Sequence, residues 1–358
     1  MSLLDEQTQT RKPLLSPAKR FYVSVFKVKS FEIKEESKMI NRRQFLETTA
    51  ALIGSSPVYS AFAQQNETAE VFFSKEISPQ SLIKMFKLVG GNLNGKIAIK
   101  LHTGEPHGPN IVPSPWVQKL QEQIPDSTIV ECNVLYGSPR QTSKGHRETL
   151  KINGWNFSRV DIMDEDGEAE LPSNGAKYVK RFRVGKNLLN YDSMLVLTHF
   201  KGHTMGGFGG SMKNIAIGCG SSGPEGGKAQ LHGLLDHNGQ WIRGEELMER
   251  MADGAKAITD YFGKKIVYIN VLRKMSVDCD CAGTSAAEPT APDIGILAST
   301  DLLAIDQASI DLIKALPEGQ KRDLMERITS RKGLRQLSAM KERKMGHDQY
   351  KLIDINKA

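Results

Sequence analysis

Four cysteines are all that the 358 residues contain, and no two of them form a Cys-x-x-Cys pair. The ferredoxin cluster motif is therefore missing, as are the standard zinc-ligand spacings. No phosphate-binding P-loop occurs either, because Gly227-Lys228 has serine five residues before the glycine and alanine after the lysine. The apolar run nearest the N terminus, Thr48 to Val58, is too short to span a bilayer, which argues against a stable membrane anchor. After residue 70 there is no internal repeat, linker or low-complexity tract.

One-sided charge is also scarce where it would matter. The formal charge is +7, but residues 1–63 hold 10 of the 48 Lys and Arg against 6 of the 41 Asp and Glu, leaving +3 for the remainder. That excess is spread along helices without interleaved aromatics, so nucleic acid is not an expected partner.

What remains is the composition of a globular protein, 39% hydrophobic and 25% charged. Residues 1–38 are polar and basic without sustained periodicity and read as a non-globular extension. Residues 39–63 then carry Arg42-Arg43-Gln44-Phe45-Leu46, a modest apolar run and Ala61-Phe62-Ala63, the pattern of a twin-arginine signal peptide with its cleavage site. Either translation begins at Met39 or the signal has an unusually long n-region. The expected partner is the twin-arginine translocation machinery, and the expected location an oxidising periplasm. Because that route carries folded proteins, it also raises the prospect of a cofactor.

Residues 64–358 are predicted to form a single α/β domain, with a mostly parallel or mixed sheet flanked by helices. Helical spacing covers Ser78–Leu88, Pro115–Gln123 with Ser114 as N-cap, Gly244–Phe262, Leu302–Leu316 and an interrupted stretch from Lys321 to Lys341. Apolar strands are expected at 96–101, 127–132, 157–163, 179–184, 193–197, 265–271, 293–298 and 350–355. Strand, helix, strand at this spacing is a βαβ unit, with functional loops at strand carboxyl ends. His102 and the loop 133–146 should share one sheet edge.

Thr198 to His232 stands out: its thirty-five residues hold three of the eight histidines, one of the four cysteines and ten glycines. Such glycine density permits close backbone approach to a ligand. His199, His203, Cys219 and His232 are candidate transition-metal ligands, and the open alternative is that the histidines are polar contacts in a glycine-rich loop. Asp278-Cys279-Asp280-Cys281 follows a buried strand. Three readings of Cys279, Asp280 and Cys281 stand open: metal or cluster ligands, thiols joined in a disulfide with Cys132 or Cys219 as partner, or inert buried thiols. A bridge within Cys-x-Cys is the less expected pairing. Lys201, Lys213, Lys228, Arg140 and Lys144, with nearby glycine amides, form a possible anion clamp. Gly218-x-Gly220-x-x-Gly223 imitates a dinucleotide fingerprint, but Pro224-Glu225-Gly226-Gly227 follows where a helix is required.

Three blocks, THFKGHTMGGFGGSMKNIAIGC, LYGSPRQTSKGH and DCDCAGTSAAEPTAPDIGILASTDLLAIDQASIDL, resemble those of the domain-of-unknown-function 362 family. The resemblance covers most of the chain after about residue 70. Many members carry a ferredoxin-type insert with two four-iron four-sulfur clusters. Here Ala282–Pro292 runs directly to the next strand, so the resemblance implies a site without that insert. It maps recurring residues onto His199, Lys201, His203, Lys213, Asn214, Cys219, Lys228, His232, Cys279, Asp280, Cys281, Asp301 and Asp306.

The sequence thus leads to an exported α/β protein with a transition metal, iron-sulfur or other redox cofactor in a His/Cys/Gly-rich pocket, and with an oxidoreductase among its readings. His199, His203 and Lys201 are its catalytic candidates. His102, Arg140, Gly207, Gly209, Gly210, Lys213, Asn214 and Lys228 are its cofactor-binding candidates. The alternatives are a binder of small anions without catalysis and a metal-free hydrolase or transferase with Cys219 as nucleophile.

Overall fold

The computed structural model describes residues 68–357; the extension and the twin-arginine segment lie outside the described residues. The chain begins with β1 (Ala69–Ser74), α1 (Pro79–Val89), β2 (Ile97–Lys100), α2 (Ser114–Gln121), β3 (Ser127–Glu131), α3 (Ser143–Ile152) and β4 (Val160–Ile162). A separate antiparallel pair, β5 (Glu168–Pro172) and β6 (Arg181–Gly185), precedes the central strand β7 (Ser193–His199). Next come a short hairpin, β8 (Lys201–His203) and β9 (Gly207–Gly209), and the helices α4 (Ser211–Cys219), α5 (Gly227–Leu231) and α6 (Glu245–Phe262). The remainder is β10 (Ile266–Leu272), β11 (Gly295–Ser299), α7 (Leu302–Lys314), α8 (Glu318–Ser330), α9 (Arg335–Glu342) and β12 (Tyr350–Asp354).

Eight strands form one mixed, mostly parallel sheet in the order β12-β1-β11-β10-β7-β2-β3-β4. All neighbours from β10 to β4 are parallel, whereas β11 runs antiparallel to both β10 and β1. A strand buried on both faces is mostly apolar, and β7 is buried throughout with an apolar run from Met194 to Leu197. Met194 and Val196 enter one core while Leu195 and Leu197 enter the other. Leu82, Met85, Val117 and Leu120 from α1 and α2 cover the second core. Met212, Leu247, Ile258 and Leu303 from α4, α6 and α7 cover the first. Truncating a fully buried residue such as Leu82 to alanine costs about 2–5 kcal/mol.

Local signals account for most element ends. Ser78 caps α1, its Oγ accepting from Ser81 N at 3.0 Å, and Pro79 occupies the first turn. Ser114, expected as a cap, is instead inside α2, because Pro113 O accepts the first helical N–H groups. The expected loop 133–146 turns helical at its end, where the Thr142 hydroxyl caps α3 by accepting from Gly145 N at 3.2 Å. The strand expected over 157–163 shrinks to three residues. Gly333 does divide the last helical stretch, and it packs so closely against Gly207 that a Cβ on Gly333 would lie 3.1 Å from the Gly207 Cα.

The order of connections locates a crevice. From β2 the chain steps outward to β3 and β4, then returns to the other side of β2 as β7 and proceeds to β10. The direction reverses between the neighbours β2 and β7, so their carboxyl ends flank a topological switch point, where the flanking loops diverge and leave a cleft.

Candidate functional site

A cavity of about 310 Å³ lies at that switch point. Lys100, Glu131 and His199, the last residues of three neighbouring parallel strands, all reach it. The β8–β9 hairpin, the first turns of α4, the α5 region, α6 and the segment around Cys279 complete its walls.

The floor is a buried ion network. Glu131 accepts from Arg140 Nη2 at 2.5 Å and from the Thr103 hydroxyl at 2.6 Å, and Lys100 Nζ lies 3.8 Å away. Arg140 also donates to Glu105 at 3.2 Å. Burial opposes the charge of Glu131, but Arg140, His102, His146 and Lys100 together hold its carboxyl well below the usual range. Arg140 lines the cavity with its charge already matched by Glu131 and Glu105. Lys144 is exposed and lies outside the cavity lining.

The Cys-Asp-Cys wall is arranged differently from the expectation. Asp280 accepts from His199 Nδ1 at 2.9 Å and pairs with Lys201 Nζ at 2.9 Å. The other nitrogen of His199 faces the Arg273 carbonyl at 2.7 Å. Both ring nitrogens of His199 face acceptors, so neither is left for a metal or for proton exchange with a ligand. Burial disfavours the Asp280 carboxylate, yet His199 and Lys201 hold it well below its ordinary range. Cys279 and Cys281 are joined to each other as a disulfide, the pairing least expected from their spacing. Cys132 and Cys219 are free and buried, the Cys132 thiol approaching the Cys219 carbonyl at 3.5 Å. Burial pushes the Cys219 thiol up to about 11, so it is a poor nucleophile.

Two further histidines line the cavity in opposite tautomers. His203 Nδ1 accepts from the backbone N–H groups of Met205, at 3.1 Å, and Gly206, at 2.8 Å. Burial, then Lys213 and Lys201, depress its basicity strongly, so the ring is neutral and its proton sits on Nε2. His102 Nδ1 lies 3.3 Å from Glu131 Oε1. A carboxylate held in its charged form only accepts, so Nδ1 donates to it and Nε2 keeps a lone pair; the 3.4 Å approach of Gly104 N is the weaker contact. Burial and Arg140 lower His102 to about 4, which keeps it neutral.

Lysine supplies the charge. Lys100 donates to Leu101 O at 2.7 Å and Asn214 Oδ1 at 3.1 Å, and Lys228 donates to Gly220 O. Lys213, in the first turn of α4, has no hydrogen-bond or ion-pair partner among the described residues. It keeps part of its surface accessible yet stands deep among protein atoms. Burial, then the charges of Lys201 and Lys100, lower it to about 7. Its helix is fixed from outside: Asp306 of α7 accepts from Ser211 N at 2.8 Å and Met212 N at 3.0 Å. Burial raises Asp306 to about 6 against these donors.

Residues 97–311 match the family described as "Domain of unknown function (DUF362)". The chain belongs to the DUF362 family. No curated protein matches it. Among solved structures, the lactate racemase apoprotein from Thermoanaerobacterium thermosaccharolyticum is 12% identical, with a TM-score of 0.37 over 68% of this chain and 56% of that one. A protein from Thermotoga maritima is 13% identical, with a TM-score of 0.39 over 72% and 59% of the two chains. The DUF362 chain thus spans a little over half the length of each.

In this DUF362 protein the metal candidates separate. His203, Cys279 and Cys281 bring their ligand atoms within 4.8 Å of one another. His199, Cys219, His232 and Asp280 do not join that group. Even the convergent three do not fit a metal as they stand. Disulfide sulfurs offer no thiolate, and His203 has Nδ1 engaged by two N–H groups and its proton on Nε2. His232 lines the cavity with its ring against Trp241 at 4.3 Å, and its buried Nδ1 has no partner. Gly209, Gly210, Lys213, Asn214 and Lys228 all line the cavity, while Gly207, at φ +76°, serves the hairpin's packing on Gly333.

The apparent dinucleotide fingerprint dissolves, because Ile215-Ala216-Ile217 belongs to α4 rather than to a strand. Sequence reasoning passed over Lys100 and Glu131. The signal was available: each is a charged residue closing a buried apolar strand. It also passed over Met205, Trp241, Leu247 and Met251 as lining residues. Behind the hairpin stands Gln336 of α9, donating to Gly206 O at 2.6 Å and Phe208 O at 3.0 Å.

Proposed function

We propose that the cavity binds a small organic anion, to which the neutral His102 offers Nε2 as a hydrogen-bond acceptor and the neutral His203 offers Nε2–H as a donor. The observation that carries the reading is Lys213, a lysine lining a protein-walled cavity with no hydrogen-bond or ion-pair partner among the described residues. An unpaired charge in such a place is costly, and an anionic ligand offsets that cost. The opposite tautomers of the two histidines then supply an acceptor and a donor that orient the ligand without any change of protonation in the resting protein. Calorimetric titration of the full chain with acetate and inorganic phosphate tests the binding half. Saturable binding lost in Lys213→Met is expected; binding unchanged by that substitution overturns it.

A second reading has its own observation, the convergence of His203, Cys279 and Cys281. Reduction of the disulfide would free two thiolates for a soft transition metal, or let the pair act as a two-electron couple. Cobalt(II) added to the reduced protein should then give a thiolate charge-transfer band that Cys281→Ser removes, and a colourless mixture would end the metal version.

Export by the twin-arginine route is proposed from Arg42-Arg43-Gln44-Phe45-Leu46. The cavity disulfide agrees with an oxidising compartment. Replacing both arginines with lysine should leave the protein in the cytoplasmic fraction; unchanged export would refute it.

A further inference from the structure

Resting on the anion reading, we infer that the ligand is an organic acid with an apolar body of about ten non-hydrogen atoms, an aryl group being the best match. The volume sets the size. About 310 Å³ is on the order of ten water volumes, so acetate or inorganic phosphate leaves most of the space empty. The walls set the chemistry. On α4, Lys213 and Ile217 stand one turn apart and both face the cavity, which puts an apolar side chain roughly 5–6 Å from the ammonium's stem.

Across from them α6 repeats the pattern, with Leu247 and Met251 one turn apart on the face that packs toward α4. Met205 and Trp241 complete this apolar side. Polar ligands would leave these surfaces to water and gain nothing from them.

Trp241 favours a ring. Its indole lies tilted against the His232 imidazole at 4.3 Å and remains 38% exposed, a large amount for a tryptophan beside a cavity. A ligand ring entering beside it would bury that surface in an offset or edge contact. The anionic group is placed by Lys213 and the apolar body by Ile217, Met251 and Trp241, so the two ends are recognised by different residues and can be tested apart.

The experiment is calorimetric titration of the full chain with phenylacetate, phenyl phosphate, acetate, inorganic phosphate and benzyl alcohol. The aryl anions should bind at least about tenfold more tightly than acetate and inorganic phosphate. Whichever of phenylacetate and phenyl phosphate binds more tightly identifies the acid group. Trp241→Ala should collapse the ratio of phenylacetate to acetate affinity, and Trp241→Phe should restore most of it. Because Trp241 is partly exposed, both variants are expected to fold. Equal affinity for all four anions overturns the apolar body and leaves the anion pocket standing. A ratio that survives Trp241→Ala overturns the assignment of the ring to that residue. Benzyl alcohol binding as well as phenylacetate, or no anion binding at all, removes the anion reading itself and this inference with it.

Discussion

Asp306 and Ser211 are 95 residues apart, yet the Asp306 carboxylate accepts the Ser211 backbone N–H at 2.8 Å and so caps a helix on another part of the chain. The same oxygen accepts from Asn270 at 2.9 Å, which ties the cap to β10. Gly210 makes room for it, since a Cβ there would meet the carboxylate oxygens at 2.6–2.7 Å. The helix so anchored carries Lys213.

Asp306→Asn is therefore expected to destabilise the protein by about 1–3 kcal/mol, because an amide nitrogen would face N–H donors. Its pH dependence has a definite sign. The folded carboxyl titrates near 6 rather than the ordinary 3.8, so its contribution is fullest below 3.8 and declines as pH rises through 6. Urea denaturation from pH 4 to 7 should show the wild type's advantage over Asp306→Asn shrinking across that range. A constant difference would refute the shifted carboxyl.

Lys213 gives the opposite slope. Its folded value near 7 lies below the ordinary 10.5, so its contribution to stability is full above 10.5 and is lost as pH falls through 7. Anion binding needs the protonated amine, so affinity should be flat below about pH 7 and weaken above it. Lys213→Met should abolish both trends, measured by calorimetry at several pH values.

Glu131 neutralises Arg140 and lies beside Lys100 in a buried network. Glu131→Gln leaves those cations undercompensated and should cost about 3–5 kcal/mol, seen as a lowered unfolding midpoint. A near-neutral substitution would mean that other groups carry the compensation.

Thiol counting separates the four cysteines. The folded, unreduced protein should show no reactive thiol, since Cys132 and Cys219 are buried and burial raises both. After mild reduction Cys279 and Cys281 should react, and only denaturation should release all four. Reaction of Cys219 in the folded state would revive it as a nucleophile.

Much of the fold was legible because strands buried on both faces cannot hide their composition. Ser193–Leu197 and Lys265–Val271 read as strands from apolar residues alone. Residues 206–210 read as a loop, since the hairpin they build depends on Gln336 and Gly333 far down the chain. At the site, residue type proved easier to read than partnership. His199 and His203 look alike in sequence, yet Asp280 occupies one while two backbone amides occupy the other. Tertiary geometry decided which partner each nitrogen meets.

The Gln336 contact bears on where the domain ends. The family match stops at residue 311, but the side chain that holds the His203 hairpin from behind comes twenty-five residues later. A chain cut at the family boundary would keep Lys213 and Cys279 while releasing the turn that sets the His203 tautomer. The chain beyond residue 311 thus supplies the backing plate against which the His203 turn is held.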